Sequence, residues 1–199
     1  KNYVGVRYSY TIGEGVAESD RWPVQLVEDL ENRGYSIDSL QIIARTSWTT
    51  DELVLGVLET PTLPEYDLIT IMIGVNNQYR GRSLENFKEE LEILIKLSLK
   101  MTGGDPSKVF LISIPDWGVT PYADRFDGDL IADEINAFNL EIIQASQESN
   151  IHYIDVTELS RQAAQDSTLL VADGLNPSGL MYTQWVEKMA PIIYEAVND

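Results

Sequence analysis

The chain has 199 residues, among them 32 acidic and 14 basic side chains, one histidine and no cysteine, which gives a formal net charge of −18. The cysteine count excludes disulfides, zinc–thiolate sites and cysteine nucleophiles, and a lone histidine argues against a histidine-rich metal site. A surface this acidic repels a phosphate backbone or an anionic membrane, so we expect no nucleic-acid partner.

Five short apolar runs predict the strands of a parallel sheet. They are rich in Val, Ile, Leu and Tyr, and they mostly lack the polar alternation of a strand with one face in water, so both faces should be covered. In chain order the predicted strands span residues 2–9, 39–44, 67–74, 108–114 and 151–156.

Helical patterns fill the intervals between the predicted strands. Asp20 is placed to cap a first helix, and Thr49 with Glu52 fits a capping box at a short second helix. Ser83 can cap a long third helix whose apolar residues follow the 3.6-residue period. The remaining predicted helices cover residues 129–149 and the stretch from residue 177 to the end of the chain.

The alternation of strand and helix predicts the α/β class, as a three-layer α/β/α sandwich around a five-stranded parallel sheet. At this length we expect a single domain over residues 1–199. Ligands in such folds bind beyond the carboxyl ends of the strands. The residues that follow each predicted strand are therefore the candidates for function.

The sequence leaves the location and the assembly state of the protein open. No apolar run approaches the roughly 20 residues that cross a bilayer. The chain opens on a strand-like segment without signal-peptide character, so a cytoplasmic protein and an exported protein with its signal removed both fit. The oligomeric state is not indicated.

Polar residues at three places in the chain have positions that suit catalysis. Ser9 enters a glycine-bearing turn and Asn76 follows the third predicted strand, while Asp173 and Asn176 precede the last helix. Each place alone has an ordinary explanation: a strand-end serine, a loop asparagine bonded to its own backbone, and a turn ahead of a helix. Taken together, and in this order along the predicted fold, the three places indicate a catalytic site more strongly than any one of them does alone.

In this order the residues resemble the four sequence blocks of the SGNH (GDSL-type) hydrolase family, in its branch of small esterases and acyl hydrolases. The family's Gly-Asp-Ser, glycine, Gly-x-Asn and Asp-x-x-His blocks are matched by Arg7-Tyr8-Ser9, Ser47, Gly74-Val75-Asn76 and Asp173-Gly174-Leu175-Asn176. Serine stands in the place of the second block's glycine, and asparagine in the place of the last block's histidine. The resemblance spans nearly the whole chain and implies the flavodoxin-like fold of SGNH hydrolases.

The resemblance also implies a serine hydrolase that acts on a small-molecule ester or acylated substrate, without a metal or cofactor. Ser9 would be the nucleophile, and the oxyanion hole would combine the backbone N–H groups of Ser9 and Ser47 with the side-chain amide of Asn76. Asp173 and Asn176 occupy the remaining catalytic positions. The substrate cleft would be formed by Arg7, Trp48, Tyr79, Trp117 and Tyr122.

The asparagine at position 176 decides the expected mechanism. A serine hydroxyl is a poor nucleophile until a base takes its proton, and an amide is not a usable base near neutral pH. His152 is a poor replacement for the missing imidazole, because it begins the fifth predicted strand, at the end of the sheet away from the cleft. Asp173 would have to act across the space that an imidazole fills. We therefore expect the triad chemistry to be impaired.

Two alternatives to an impaired ester hydrolase stay open from the sequence. The chain would be a non-catalytic ligand-binding protein on a hydrolase scaffold, or an engineered active-site variant of an active esterase. A further expectation concerns Ser47. Its main-chain donor survives the change from glycine, and the change matters only if the backbone there needs a positive φ.

Overall fold

The computed structural model of the protein describes residues 1–7, 13–61 and 65–198. Its strands are β1 Asn2–Arg7, β2 Ser39–Ala44, β3 Leu68–Met72, β4 Val109–Ile112 and β5 His152–Ile154. They form one parallel sheet in the order β2-β1-β3-β4-β5. This confirms the five-stranded parallel sheet predicted from the apolar runs.

Predicted and observed strand limits agree best at β2, which spans the predicted residues 39–44. The strands β3, β4 and β5 are shorter than predicted at both ends, and the residues that flank them belong to the connections at the sheet edges. The predicted end of β1 at Ser9 lies among residues 8–12, outside the described residues.

Helices cover the two faces of the sheet and complete a three-layer α/β/α sandwich. They are α1 Trp22–Asn32, α2 Thr50–Glu59, α3 Val75–Tyr79, α4 Leu84–Met101, α5 Gly128–Glu148, α6 Thr157–Arg161 and α7 Gly179–Asn198. Helix α1 packs against α7, and α4 packs between α2 and α5. Right-handed crossovers place the first pair on one face and the other three helices on the opposite face.

Capping residues set where two of these helices begin. At α2 the Thr49 N–H donates to Glu52 Oε2 at 2.8 Å, which confirms the predicted capping box. At α4 the Ser83 hydroxyl oxygen accepts from the Asn86 N–H at 3.2 Å, and this cap was also predicted. Both caps satisfy N–H groups that the first turn of a helix leaves unpaired.

The predicted cap of α1 is wrong. Arg21 is the N-cap of this helix and makes no side-chain cap bond, while Asp20 ends a preceding 3₁₀ turn, Glu18–Asp20. Pro23 stands in the first turn of α1, where its missing N–H costs nothing and its fixed φ favours the helix. Helix α1 therefore begins with a proline in its first turn and without an aspartate cap.

The central strands are buried on both faces, as their apolar composition predicts. Every residue of β3 and of β4 is buried. Helix faces close over them, for example through Trp22, Leu26 and Leu30 of α1. Apolar burial of this kind stabilises a fold by about 25 cal/mol per Å². The sheet is therefore closely packed on both faces, and the loops that follow its strands lie at its carboxyl edge.

Within the described ranges, no helix combines the length and the apolar character needed to cross a bilayer.

Candidate active site

A cleft of about 180 Å³ lies at the carboxyl edge of the parallel sheet, where the fold class predicts a ligand site. Its walls are Glu14, Thr46, Ser47, Val75, Asn76, Tyr79, Trp117, Tyr122, Leu175 and Asn176. Six of these are site residues that the sequence resemblance implies, namely Ser47, Asn76, Tyr79, Trp117, Tyr122 and Asn176. The fold thus brings together segments that are more than 100 residues apart in the sequence.

Ser47 occupies the turn between β2 and α2, and its backbone is left-handed, with φ at 66°. The Trp48 N–H donates to the Arg45 carbonyl oxygen at 3.3 Å and closes this turn. A positive φ at the third residue of a turn is normally supplied by glycine. No described residue accepts a hydrogen bond from the Ser47 N–H, so this donor is left for solvent or for a ligand in the cleft.

Asn76 begins the polar part of α3 directly after β3, and its side chain is half-buried in the cleft wall. Its Nδ2 donates to the Trp48 carbonyl oxygen at 3.0 Å. An amide nitrogen carries two hydrogens, so a second donor remains for the cleft. Asn76 and Ser47 therefore line the same cleft with N–H groups that suit a carbonyl oxygen.

The polar residues that follow Asn76 fasten the Ser47 turn to α3. Asn77 Oδ1 accepts from the backbone N–H and the hydroxyl of Thr50, at 3.1 and 3.0 Å. Arg80 Nη2 donates to the Ser47 carbonyl oxygen at 2.7 Å. Neither Asn77 nor Arg80 was predicted to act in the site. The only sequence signal for them is a run of polar side chains directly after a buried strand.

Asp173 and Asn176 form a closed hydrogen-bonded unit in the loop before α7. Asp173 Oδ1 accepts from the backbone N–H groups of Leu175 and Asn176 at 2.8 and 2.9 Å, and its Oδ2 accepts from Asn176 Nδ2 at 2.7 Å. Asn176 is buried and lines the cleft, whereas Asp173 is exposed and is not among the lining residues. Both oxygens of the carboxylate are therefore engaged within its own loop.

These contacts make Asp173 a weak base. Burial raises its pKa, but the hydrogen bonds from the Asn176 side chain and from the N–H groups of Asn176 and Leu175 outweigh burial and bring the pKa below its usual 3.8. The neighbouring Asn176 amide has no basic nitrogen. The loop offers hydrogen bonds to a ligand but no strong proton acceptor.

An aromatic cluster forms another wall of the cleft. Trp117 is only 4% exposed, and its ring lies edge-on to those of Tyr79 and Tyr122, with centroid distances of 5.5 and 6.1 Å. Its Nε1 donates to Gln78 Oε1 at 2.8 Å, and Gln78 Nε2 donates to Glu134 Oε2 at 2.7 Å. Helices α3 and α5 thus fix the indole in one orientation.

Two phenol groups stand at the exposed rim of this wall. The hydroxyls of Tyr79 and Tyr122 share a hydrogen bond of 3.1 Å, which raises the pKa of Tyr79 and lowers the pKa of Tyr122. The Arg125 guanidinium lies 4.4 Å from the centre of the Tyr122 ring. The wall therefore offers apolar ring surface inside and polar groups at the mouth.

Trp48 belongs to a second, more open groove of about 580 Å³. Its ring covers Gly56 of α2, where a Cβ would come within 2.3 Å of Trp48 Cη2. The groove is lined by Ala44, Arg45, Trp48, Glu52, Leu55, Gly56, Glu59, Thr60 and Pro61. Trp48 thus binds Asn76 of the cleft wall through its backbone carbonyl, and it lines the neighbouring groove.

Ser9 and Arg7 belong to the first sequence block. Ser9 lies outside the described residues. Arg7 ends β1, and its backbone is in register with Ala44 of β2 and Met72 of β3. Strand β1, which ends at Arg7, therefore lies between β2 and β3, the strands that precede the second and third blocks.

His152 is the one imidazole of the chain. It begins β5, in register with Phe110, and its ring stacks on the Phe110 ring at 4.6 Å. Burial lowers the pKa of His152. As predicted, it stands at the amino end of its strand, whereas the cleft lies at the carboxyl ends.

The sequence model of the GDSL-like lipase/acylhydrolase family matches residues 9–184 of the chain. This range begins at Ser9 and includes the Ser47 turn, Asn76 and the loop with Asn176. No curated protein matches the chain in sequence.

Solved structures share the fold over nearly the full length. TesA has a TM-score of 0.76 at 17% identity, with 98% of this chain and 99% of that chain covered. The lipase/acylhydrolase from Enterococcus faecalis has a TM-score of 0.74 at 18% identity, with 98% and 96% covered. The psychrotrophic esterase EstA from Pseudoalteromonas sp. has a TM-score of 0.71 at 18% identity, with 100% and 99% covered. At these identities the likeness concerns the fold.

Proposed function

The chain belongs to the family of GDSL-like lipases and acylhydrolases, and from this membership we propose that it is an ester hydrolase with impaired triad chemistry. Ser9 attacks the carbonyl carbon of a small-molecule ester or acylated substrate. The substrate's carbonyl oxygen binds the Ser47 N–H and the Asn76 side-chain amide, together with the N–H of Ser9. Asn176 stands where the family resemblance expects the base.

The observation that carries this proposal is the pair of N–H donors in the cleft. Attack on an ester builds negative charge on the carbonyl oxygen, and donors fixed in advance stabilise that charge. Arg80 and the Trp48 carbonyl hold Ser47 and Asn76 in place. One such donor is typically worth about 10²–10³-fold in kcat.

The size of the cleft favours a short acyl group. Its volume of about 180 Å³ is below the roughly 300–1,000 Å³ of pockets that enclose drug-sized ligands. Val75, Trp117 and Leu175 give it apolar surface. An acetyl or similarly short chain fits these dimensions, with the alcohol part of the ester toward the open rim.

The impairment follows from the chemistry of Asn176. Its Nδ2 donates to Asp173 at 2.7 Å, as the Nδ1–H of an imidazole would. Its amide oxygen, however, does not take up a proton near neutral pH. General-base assistance contributes about 10²–10⁴-fold to such reactions, so the loss of the imidazole costs a factor of that order.

The test is hydrolysis of p-nitrophenyl acetate by the wild type and by Asn176→His. We expect slow turnover that Ser9→Ala abolishes, and a rise in kcat of about 10²-fold or more in Asn176→His, because Asp173 can orient the new imidazole. Asn136→His is the matched control, at an exposed position of α5 outside the cleft, and should leave kcat unchanged.

Wild-type turnover on the order of 10 s⁻¹, an ordinary enzyme rate, would contradict the impairment. A second candidate function is ligand binding without catalysis, which the closed Asp173–Asn176 unit favours because it leaves no strong base in the loop. A thermal-shift screen of acylated sugars would support it, if a stabilising compound survives unhydrolysed and Ser9→Ala binds it equally well.

A further inference from the structure

A second, smaller cavity lies directly behind one wall of the cleft. This inner cavity holds about 10 Å³, where the loop after β4 meets α6 and the start of α7. Its walls are Pro115, Asp116, Trp117, Thr120, Ser160, Leu170, Leu175, Pro177 and Met181. Among the described lining residues, only Trp117 and Leu175 border both spaces. These two residues therefore form a partition between the cleft and the inner cavity.

Trp117 is held in this partition from several directions. Its indole Nε1 donates to Gln78 Oε1 at 2.8 Å. Its carbonyl oxygen accepts from the N–H and the hydroxyl of Thr120, at 3.1 and 2.7 Å. The next residue, Gly118, packs so closely on the start of α5 that a Cβ there would come within 2.9 Å of the Gly128 carbonyl oxygen. The indole thus closes the cleft as a fixed wall.

The inner cavity suits a hydrocarbon chain, although three polar side chains line it. The Asp116 carboxylate accepts from the Gly118 N–H and from Arg161 Nε, at 2.8 and 3.0 Å. The Ser160 hydroxyl oxygen accepts from the Asp116 N–H at 2.9 Å, and the Thr120 hydroxyl donates to the loop backbone at 2.7 Å. Buried polar groups that are paired in this way need no partner from a ligand. The rest of the cavity wall is apolar: Pro115, Leu170, Pro177 and Met181.

The partition lies where the acyl end of a bound ester would point. The alcohol has to leave before water attacks the acyl group, so it lies toward the open rim. Tyr79 at that rim is 49% exposed, whereas Trp117 is 4% exposed. With the carbonyl oxygen bound by Ser47 and Asn76, the acyl chain then extends inward, toward the indole.

We propose that Trp117 and Leu175 set the length of the acyl chain that this protein accepts, by closing the cleft in front of the inner cavity. This inference rests on the proposed function, since it requires an ester substrate. With the partition closed, an acetyl group fits and a longer chain meets the indole. When a partition side chain is truncated, its volume joins the inner cavity, and a longer chain can lie against Leu170 and Met181.

The experiment measures kcat/KM for p-nitrophenyl acetate, butyrate and octanoate in the wild type, Leu175→Ala and Trp117→Ala. The wild type should prefer the acetate. The ratio of octanoate to acetate should rise about tenfold or more in each variant, because each methylene that becomes buried is worth about fourfold. Trp117→Ala also leaves Gln78 Oε1 without its donor. Leu175→Ala removes no side-chain hydrogen bond, and thermal melting verifies that both variants are folded.

Met181→Ala is the matched control. Met181 lines the inner cavity but not the cleft, so its truncation enlarges the cavity behind a closed partition and should leave the ratio unchanged. In the double variant Leu175→Ala/Met181→Ala the enlarged cavity is open, and the ratio should exceed that of Leu175→Ala. General loosening of the fold would raise the ratio in Met181→Ala as well, and that result would overturn the proposal.

A binding measurement separates this inference from the proposed function. Octanamide has the carbonyl oxygen and the chain of the long ester and carries no charge, so calorimetry measures its affinity without ester turnover. Leu175→Ala should bind it at least about tenfold more tightly than the wild type does. Equal affinities and equal ester ratios in the wild type and both partition variants, with the acetate still hydrolysed, would overturn the partition and leave the ester hydrolase standing. Tighter octanamide binding in the partition variants without any ester hydrolysis would overturn the proposed function and support the partition.

Discussion

At the scale of single residues, Ser47 carries the clearest backbone strain in the site. A side chain in the left-handed region costs about 1–2 kcal/mol relative to glycine. The surrounding contacts hold it there: Arg80 binds its carbonyl oxygen, and the Trp48 N–H closes the turn on Arg45. Backbone strain that surrounding contacts maintain in this way is typical of functional sites.

Ser47→Gly should therefore stabilise the protein. The relief of the left-handed penalty exceeds the roughly 0.4–1 kcal/mol by which glycine favours the unfolded chain, so we expect the free energy of unfolding to rise by about 0.5–1 kcal/mol. Urea unfolding measures this change. Ser149→Gly is the control, at a right-handed position with φ of −95°, and should destabilise; equal losses in the two variants would refute the strain.

At the scale of elements, the five-residue helix α3 organises the cleft. Its polar side chains reach different neighbours: Asn76 the Trp48 carbonyl, Asn77 the start of α2, and Gln78 both Trp117 and α5. One turn of helix after a buried strand thus contributes to the positions of Ser47 and Asn76, the proposed oxyanion donors, and of the aromatic wall.

Asn77→Leu should loosen this arrangement. Asn77 is fully buried, and its loss leaves the N–H and hydroxyl of Thr50 without their acceptor, at about 1–3 kcal/mol per buried group. We expect the free energy of unfolding to fall by about 2–4 kcal/mol in denaturant titration. Asn136→Leu, which removes an exposed amide from α5, should cost less than about 1 kcal/mol. Similar losses in both variants would contradict the role assigned to Asn77.

The helices and strands also show how much of the fold can be predicted from the sequence. Long helices and central strands were predicted because each holds enough residues to display a period or an apolar run. Helices α3 and α6 were not, since five residues cannot display the 3.6-residue period. The cap of α1 was mispredicted because Asp20 belongs to a preceding 3₁₀ turn and the helix begins one residue later, after Arg21.

For the candidate site, the order of the motifs in the sequence identified the residues but not the groups that those residues contact. Asn76 and Asn176 were placed at the sheet edge by motif and strand position. The positive φ of Ser47, the engaged oxygens of Asp173 and the position of Glu14 in the cleft depend on contacts between distant segments. No local pattern encodes such contacts, so only the folded structure reveals which carboxylate lines the cleft.

At the scale of the whole molecule, charge is the dominant feature. With 32 acidic and 14 basic side chains, at least 18 carboxylates have no cation of their own. Most of the ion pairs among the described residues have at least one exposed partner, and Lys96–Glu92 has two; exposed pairs contribute little. The surface therefore repels itself, and this repulsion lowers the stability of the compact state.

Salt should accordingly stabilise the protein. Raising NaCl from 0.01 to 1 M shortens the screening length from about 30 to 3 Å. We expect a gain of at least about 1 kcal/mol, which corresponds to about 2–4 °C in Tm for a chain of this size. Calorimetry at neutral pH measures it. KCl should give the same gain; a melting temperature that is constant or falls with salt would contradict dominant self-repulsion.

Position 176 is close to a histidine at the level of the gene, and Asp173 is already placed to bind one. Codons for asparagine and histidine differ only in their first base, so position 176 stands one nucleotide away from an imidazole. Asp173 Oδ2 already accepts a hydrogen bond from this side chain at 2.7 Å. The same oxygen could accept one from the Nδ1–H of an imidazole. A single base change thus separates the present side chain from an imidazole that Asp173 could orient.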